Sequence, residues 1–516
     1  HGFQTGAGFD WTVKDKNNFS GSVSFNDFGN NGAAVISQSQ LTSDKTNPGN
    51  ILSEINTINN TNNTFSEHNV DFGLNYKRTF TKEDEELEIN VNSSFGKNHI
   101  AADNTQFLLP QDSLFYATNS ANAGNETETE IAIDYSYPLT KEIMFGTGGK
   151  LNFYDVKSNS DVLMLQPDNK YLFDSSLSNS LDYNQKVYAL YAELSFPVAK
   201  LFDAKIGGRF ERTEINSFYS NAAEEVNTSG YNTFVPSVFF IKNLSDQQTI
   251  KLSYSKRIER PDYGDLNPYI NTSDPKNIVA GNPYLKPEIG NRYEFSYNRD
   301  FGKAGSVMAT LFYRENHNDI QPFIVYYPSL EVGDSTYTNV SVTTRENIGL
   351  EKNMGTNLFI DLHFTTKLTV RSNAFLFYRH TINAIDKGYN SNSFNYRINM
   401  NATYQFSNTL VAEFFGNFNS ARHEAQGRYP SFTSYSFAIR KQFWDKKGSL
   451  AITAINPFSK YVKQETTLFG PNFNITSTRK IPFRSVGLNF AWKFGKLIFK
   501  KEEDNNDTNL NSPTDN

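Results

Sequence analysis

The chain has 516 residues, a formal net charge of −6 and no cysteine, and its mean hydropathy is −0.56. No cysteine excludes a disulfide framework, a thiolate metal site and a cysteine nucleophile. The charge gives no basis for general nucleic-acid binding, and no apolar run approaches the ~18 residues of a transmembrane helix.

The aromatic content points elsewhere. With 44 Phe and 28 Tyr against 3 Trp, 15% of the chain is aromatic, more than a set of polar domains needs. A transmembrane barrel alternates outward apolar with inward polar residues, so its average hydropathy looks soluble. The sequence opens at His1 without an apolar leader, so any export signal is expected upstream or already removed.

Taken in order, the chain repeats a period of two, which puts successive side chains on opposite faces of a strand. Residues 3–12 and 19–29 should pair across the turn KDKNN, and 30–66, rich in Asn, Ser and Thr, reads as an exposed loop. Val70, Phe72, Leu74 and Tyr76 alternate with Asp71, Gly73, Asn75 and Lys77; past the charged turn TKEDE, Leu87, Ile89, Val91 and Phe95 do the same. Strands are expected at 126–137, 142–156, 183–198, 203–217, 231–242, 305–316 and 355–364. Short turns (LTKE, AKLFD, LSDQQ, FGKAG) alternate with long loops, the asymmetry of an outer-membrane barrel.

The sharpest alternation is at 394–406. Phe394, Tyr396, Ile398, Met400, Ala402, Tyr404 and Phe406 interleave with Asn395, Arg397, Asn399, Asn401, Thr403 and Gln405. At about 3.3 Å per residue this segment suffices for a tilted crossing of a roughly 25–30 Å hydrocarbon layer. Val486, Leu488, Phe490, Trp492 and Phe494 mark the last strand, and 496–516 reads as a disordered tail.

Residues 249–297 hold a strand, a polar loop and a returning strand. Ile250, Leu252 and Tyr254 alternate on the way in, and Tyr293, Phe295 and Tyr297 on the way out. Pro261, Pro268, Pro275, Pro283 and Pro287 lie between them; prolines fix φ and remove backbone donors, so neither ladder can continue and an ordered loop is expected. The segments RPDYGDLNPY, SDPKN and GNPYLKPE in this loop resemble the barrel of TonB-dependent outer-membrane receptors and the outer-membrane β-barrel family allied to them. GGRFERT at 207–213, FVPSVFF at 234–240, INPFSKY at 455–461 and FRSVGLNFAWKFGK at 483–496 resemble further strands of the same family, in the same order.

The resemblance implies an all-β, transmembrane, antiparallel up-and-down barrel. About 19 strands can be counted in 1–495, an odd number where bacterial barrels have an even one; by likeness to the 22-stranded receptors, three strands and a plug are expected upstream. It also implies uptake of a scarce solute driven by the TonB complex through that plug, with outer-membrane lipid and the barrel insertion machinery as further partners, no cofactor and no catalysis. The alternatives are a non-transporting barrel (an adhesin, an assembly component or a passive pore), a soluble glycan-binding β protein and an outer-membrane hydrolase.

Candidate ligand-facing residues in the loop are Arg260, Pro261, Tyr263, Asn267, Pro268, Tyr269, Asn282, Pro283 and Lys286; the competing reading is a rigid plug of the mouth. Asp361, His363 and Arg397 are expected on the inner face, where a solvated His363 is the plainer reading. Trp492 and Phe494 resemble the terminal signal read by the insertion machinery. Strand-end aromatics such as Tyr135, Tyr137, Phe301, Tyr404 and Phe406 fit an interfacial girdle. The seven scattered histidines show no metal-ligand spacing, Glu502–Asn509 lacks the Gly and closing Glu of a calcium loop, GTGGK at 146–150 lacks P-loop spacing, and no nucleophile elbow is present.

Overall fold

The computed structural model describes residues 2–43, 47, 49–220, 226–245, 247–271, 276–332 and 335–494. One sheet holds 22 strands; three are short pieces inside connections (Tyr171–Phe173, Ile270–Asn271 and Asn277–Ala280), which leaves 19 in the wall, the number that the alternation predicts. They are β1 (Gly2–Val13), β2 (Asn17–Ser43), β3 (Ile51–Thr79), β4 (Glu86–Leu109), β5 (Ser113–Pro138), β6 (Met144–Leu165), β7 (Asn179–Val198), β8 (Phe202–Tyr219), β9 (Val226–Ser245) and β10 (Gln248–Glu259). The remainder are β11 (Glu288–Asp300), β12 (Gly305–Val332), β13 (Ser335–His363), β14 (Leu368–Asn383), β15 (Ser391–Ser407), β16 (Leu410–Asn419), β17 (Phe432–Phe443), β18 (Gly448–Ile455) and β19 (Ser485–Trp492).

Each wall strand pairs antiparallel with its neighbours in sequence. Among the described residues β1 and β19 carry one ladder each, and because 19 is odd they run in the same direction. The short turns are tight by backbone conformation. In two of the three-residue loops, Lys14 and Asp15 have φ of 54° and 51°, and Ala199 and Lys200 of 48° and 61°, the positive φ at consecutive positions that turns the chain in the sense of the right-handed strand twist.

The burial pattern inverts that of a soluble domain. In β15, Phe394 and Phe406 are 61% and 54% exposed, whereas Ser393 and Asn395 are 7% and 5% exposed. β13 repeats the inversion, with Met354 exposed and Glu351 and Asn353 on its other face buried; in β7 Leu190 is likewise exposed, but the buried face is apolar, with Tyr183, Val187 and Ala189. Soluble proteins bury the apolar set. Here the polar set faces inward and the apolar one outward, each outward Phe gaining about 1.5–3 kcal/mol when hydrocarbon replaces water around it. At the short-turn rim the outward rings gather in contacting groups: Trp11–Phe19–Tyr76, Phe80–Tyr135–Tyr137, Tyr404–Phe406 and Phe443–Trp444–Trp492. This is where amphipathic rings meet lipid headgroups.

Several expected loops are strands. Of the 30–66 segment, 30–43 belong to β2 and 51–66 to β3, whose ladder runs from Asn17 opposite Arg78 to Ser43 opposite Ile51. The connection after 156 begins as strand to Leu165, and 317–354 is almost all β12 and β13. Beyond the hydrocarbon both faces meet water, so no apolar alternation is needed, and the ladder persists because it satisfies the backbone. The tail at 496–516 and His1 lie outside the described residues.

Two apolar clusters sit at the long-loop rim. One joins Val156, Leu181, Tyr183, Ile215 and Tyr219 of the wall to Leu266 and Leu285 of the 260–287 connection. The other joins Ile278 to Val332, Tyr337 and Val340.

Candidate ligand-facing site at the long-loop rim

The 260–287 connection, here the strap, folds onto the wall at both of its ends. In β8 the period of two puts Arg209, Glu211 and Thr213 on one face, with Glu211 and Thr213 buried. Arg260, the first residue after β10, lies against them. Its Nη2 donates to Glu211 Oε2 at 2.5 Å and to Thr213 Oγ1 at 2.9 Å, and its Nε donates to Thr213 Oγ1 at 3.2 Å. Arg209 Nε donates to the other Glu211 oxygen at 2.5 Å. GGRFERT and RPDYGDLNPY, two separate signals in the sequence, are thus two halves of one buried clamp.

From the clamp the strap makes a single helical turn, Tyr263–Leu266, which Asp262 caps by accepting the Gly264 N–H at 2.8 Å. Pro261 is buried. The Tyr263 ring meets those of Tyr154 and Tyr183 at centroid distances of 6.3 and 6.2 Å. Asn267 Oδ1 accepts the Tyr269 N–H at 3.1 Å and the Asn179 carboxamide at 3.3 Å. Pro268 and Tyr269 are half-buried. Burial pushes the Tyr269 hydroxyl up to about 12, with Asp174 and Tyr337 adding to it.

The return half anchors on β13. Asn277–Val279 pair in parallel with Ser341–Thr343, Asn282 Nδ2 donates to Arg345 O at 3.0 Å, and Arg345 Nε lies 3.1 Å from Asp265 Oδ1. The Lys286 N–H donates to Asn347 Oδ1 at 2.8 Å, while Asn347 Nδ2 donates back to Lys286 O at 2.9 Å. Gly281 is the close-approach point: a Cβ there would lie 2.3 Å from Asn267 O and 2.7 Å from Asp265 O. The strap is therefore a chord between β8 and β13, and both readings made of it have a place. Arg260, Asn267 and Asn282 spend their polar atoms holding it, Pro261 and Tyr263 pack it, and Pro283 is half-buried.

What the strap offers outward is the exposed Lys286 side chain and Tyr284, which is 80% exposed. Tyr284 was not singled out from the sequence; its only signal is its place between Pro283 and Leu285, where a buried neighbour on one side turns it outward.

The remaining sequence candidates lie elsewhere. Asp361 and His363 share a strand face with buried Glu351 and Asn353 but sit at the short-turn end of β13, where Asp361 meets Arg371 at 3.0 Å and His363 Nδ1 lies 2.9 Å from Thr369 Oγ1. Arg397 is exposed, on the Ser393 and Asn395 face of β15, opposite Phe375. Trp492 and Phe494 are in contact at 6.1 Å on the short-turn rim.

A second inward segment, 420–431, has no counterpart in the sequence reading. Ala421, Glu424, Ala425 and Gln426 are buried in it. Among the described residues no group of three His, Cys, Asp or Glu is arranged to hold a metal ion, and no helix is long and apolar enough to cross a membrane. The exposed groups of the site, a phenol ring and an ammonium, are of the kinds that stack and donate hydrogen bonds.

Residues 78–492 match the outer membrane protein beta-barrel family. No curated protein matches the sequence. Among solved structures, the fold is similar to the pyoverdine outer membrane receptor FpvA from Pseudomonas aeruginosa PAO1, with a TM-score of 0.60, 12% identity, and 96% of this chain and 77% of that one covered. It is similar to the copper transporter OprC, with a TM-score of 0.57, 12% identity, and 96% and 79% covered. It is also similar to the ferric yersiniabactin uptake receptor FyuA from Yersinia pestis, with a TM-score of 0.54, 11% identity, and 96% and 78% covered.

Proposed function

The chain belongs to the outer membrane protein beta-barrel family, and on that premise we propose that it is the barrel of a TonB-dependent receptor that imports a scarce solute and catalyses no reaction. It resides in the cell outer membrane, with the long strand extensions outside and the short turns periplasmic. The observation that carries the proposal is the strap. A receptor needs a fixed surface beside the lumen on which a ligand is recognised before it moves inward, and the strap, tied to β8 at one end and to β13 at the other, supplies one. The Arg260–Glu211 clamp and the Asn347 bonds give that fixity, and Tyr284 and Lys286 give it an outward aromatic face and cation. The likeness in fold to siderophore and copper receptors supports the same reading. The coupling plug and three further wall strands are part of the proposal and would be encoded together with this barrel.

The test is uptake. A deletion strain is grown with iron chelates, glycans or peptides as the limiting nutrient, with and without dissipation of the inner-membrane proton gradient. The proposal expects one nutrient class to fail in the deletion strain and in gradient-depleted parent cells alike. Loss of uptake that ignores the gradient, with steady ion conductance of the purified protein in planar bilayers, would make it a passive pore instead.

A further inference from the structure

Two segments remote in sequence dock on one stretch of β12. The ladder between β12 and β13 breaks register around Asn318 and Asp319, opposite Ile348, where Asn318 has φ of 59° and Gly349 of 143°. The strap ends there: Glu288 Oε1 accepts the freed Ile320 N–H at 2.6 Å, and Asn347 Nδ2 also donates to Asn318 O at 2.8 Å. The second segment is the 420–431 connection. Its hairpin, Arg422–Glu424 against Gly427–Tyr429, turns its tip to β12. The Ala425 N–H donates to Gln321 Oε1 at 3.1 Å. The Gln426 carboxamide takes the Ile324 N–H at 2.6 Å and donates to Ile324 O at 3.0 Å, completing that residue's backbone as a ladder partner would.

This docking buries three carboxyl groups together. Asp319, Glu351 and Glu424 are 6%, 4% and 6% exposed. Two have cations: Arg379 Nε lies 2.9 Å from Glu351 and Arg422 Nη2 2.7 Å from Glu424. Asp319 has instead the Gln321 carboxamide, at 2.5 Å. Glu424 of the docked hairpin faces it too, and Glu288 at the strap's end faces it in turn; one shell further out, Glu259 faces Glu288, Arg345 of β13, which is engaged with Asp265, faces Glu424, and Arg428 faces His423. Burial, and next Glu351, push Asp319 up, while Gln321 and Arg379 oppose them; a buried carboxyl among like charges keeps its proton.

We propose that the 420–431 connection is a proton-gated latch, seated in the mouth while Asp319 is protonated and released as that proton is lost. The docked state binds the Asp319 proton more tightly than the open state does. Docking is therefore at full strength below the ordinary carboxylate range and weakens as pH rises from there through the raised value, above which it is level again. His423, held down by burial and by Arg428, has the opposite sign, since charging it at low pH would loosen the hairpin.

Hydrogen exchange of the full chain in detergent micelles tests this, with protection read at the Ala425 and Ile324 amides from pH 5 to 8 and intrinsic rates divided out. One linked proton gives a fall of up to about tenfold per pH unit. The expected outcome is that fall in the parent, a well-protected and shallower profile in Asp319→Asn, where His423 and Glu424 still titrate, and lost protection at every pH in Gln426→Ala, each variant keeping heat-modifiable migration. Glu424→Gln, which removes one like charge, should shorten the window and stands in if Asp319→Asn does not fold; if neither variant folds, the parent profile decides. A flat parent profile, or an Asp319→Asn profile that slopes like the parent's, overturns the latch.

Discussion

Replacing Arg260 with alanine should free the strap without unfolding the wall. The side chain makes three polar contacts, two to Thr213 and one to buried Glu211. Orphaning a buried charge completely costs about 3–5 kcal/mol. Glu211 would keep Arg209 at 2.5 Å, so the loss is nearer that of one charge-assisted hydrogen bond plus a stranded hydroxyl, about 2–3 kcal/mol. That is about 30- to 150-fold in the open population of the strap. Chymotryptic cleavage of the Tyr284–Leu285 bond reads this population. Tyr284 is already 80% exposed, but Leu285, at 4%, has to leave the cluster of Leu266, Leu181 and Tyr183 before the bond can enter a protease. In micelles Arg260→Ala should be cut faster by that factor, with unchanged heat-modifiable migration. Arg260→Lys should fall between, because it keeps the charge and loses the two-pronged geometry. Cleavage of Arg260→Ala within twofold of the parent would refute the clamp.

Three further outcomes follow from the same geometry. Gly281→Ala, whose Cβ would press on the Asn267 and Asp265 carbonyls, should open the strap as Arg260→Ala does, measured by the same cleavage. Glu288, above the membrane crossing of β11, is pushed up to about 8, first by burial and then by Asp319, Glu259 and Glu351 against the Ile320 N–H. The anchored strap therefore holds that proton more tightly than the open one, and cleavage, normalised to a peptide substrate, should rise as pH climbs from the carboxylate range towards 8 and level off above it, with Glu288→Gln flat. Trp492→Ala with Phe494→Ala should lower the fraction of chains reaching a heat-modifiable form in cells, while the purified double variant migrates as the parent does.

Much of the wall is written in the residues because hydrocarbon outside and water inside impose the period of two. Phe394–Phe406 and Val486–Trp492 declare themselves for that reason. The extensions do not: in β2 and β3 beyond residue 30 both faces meet water, Asn, Ser and Thr serve equally well, and only cross-strand pairing reveals the strand. Arg260 and Glu211 stand 49 positions apart, and each motif was recognisable without its partner being so. Gln426 gave no signal at all, because an amide that substitutes for a strand's backbone is indistinguishable in sequence from any loop glutamine. Asp319 was hidden in the same way, since its burial depends on a hairpin arriving from a connection 100 residues later in the chain, as the Gln321–Ala425 contact across 104 positions shows.

The central claim is that the wall turns its apolar face to lipid and its polar face inward. Nitroxide labels placed singly at each position from 394 to 406, in the protein reconstituted into bilayers, test it through relaxation by dissolved oxygen and by a water-soluble nickel chelate. Oxygen should dominate at 394, 396, 398, 400, 402, 404 and 406 and fall at each position between, with depth greatest near 400. Equal relaxation at neighbouring positions, or nickel access at Ile398 and Met400 as strong as at Asn399, would contradict it.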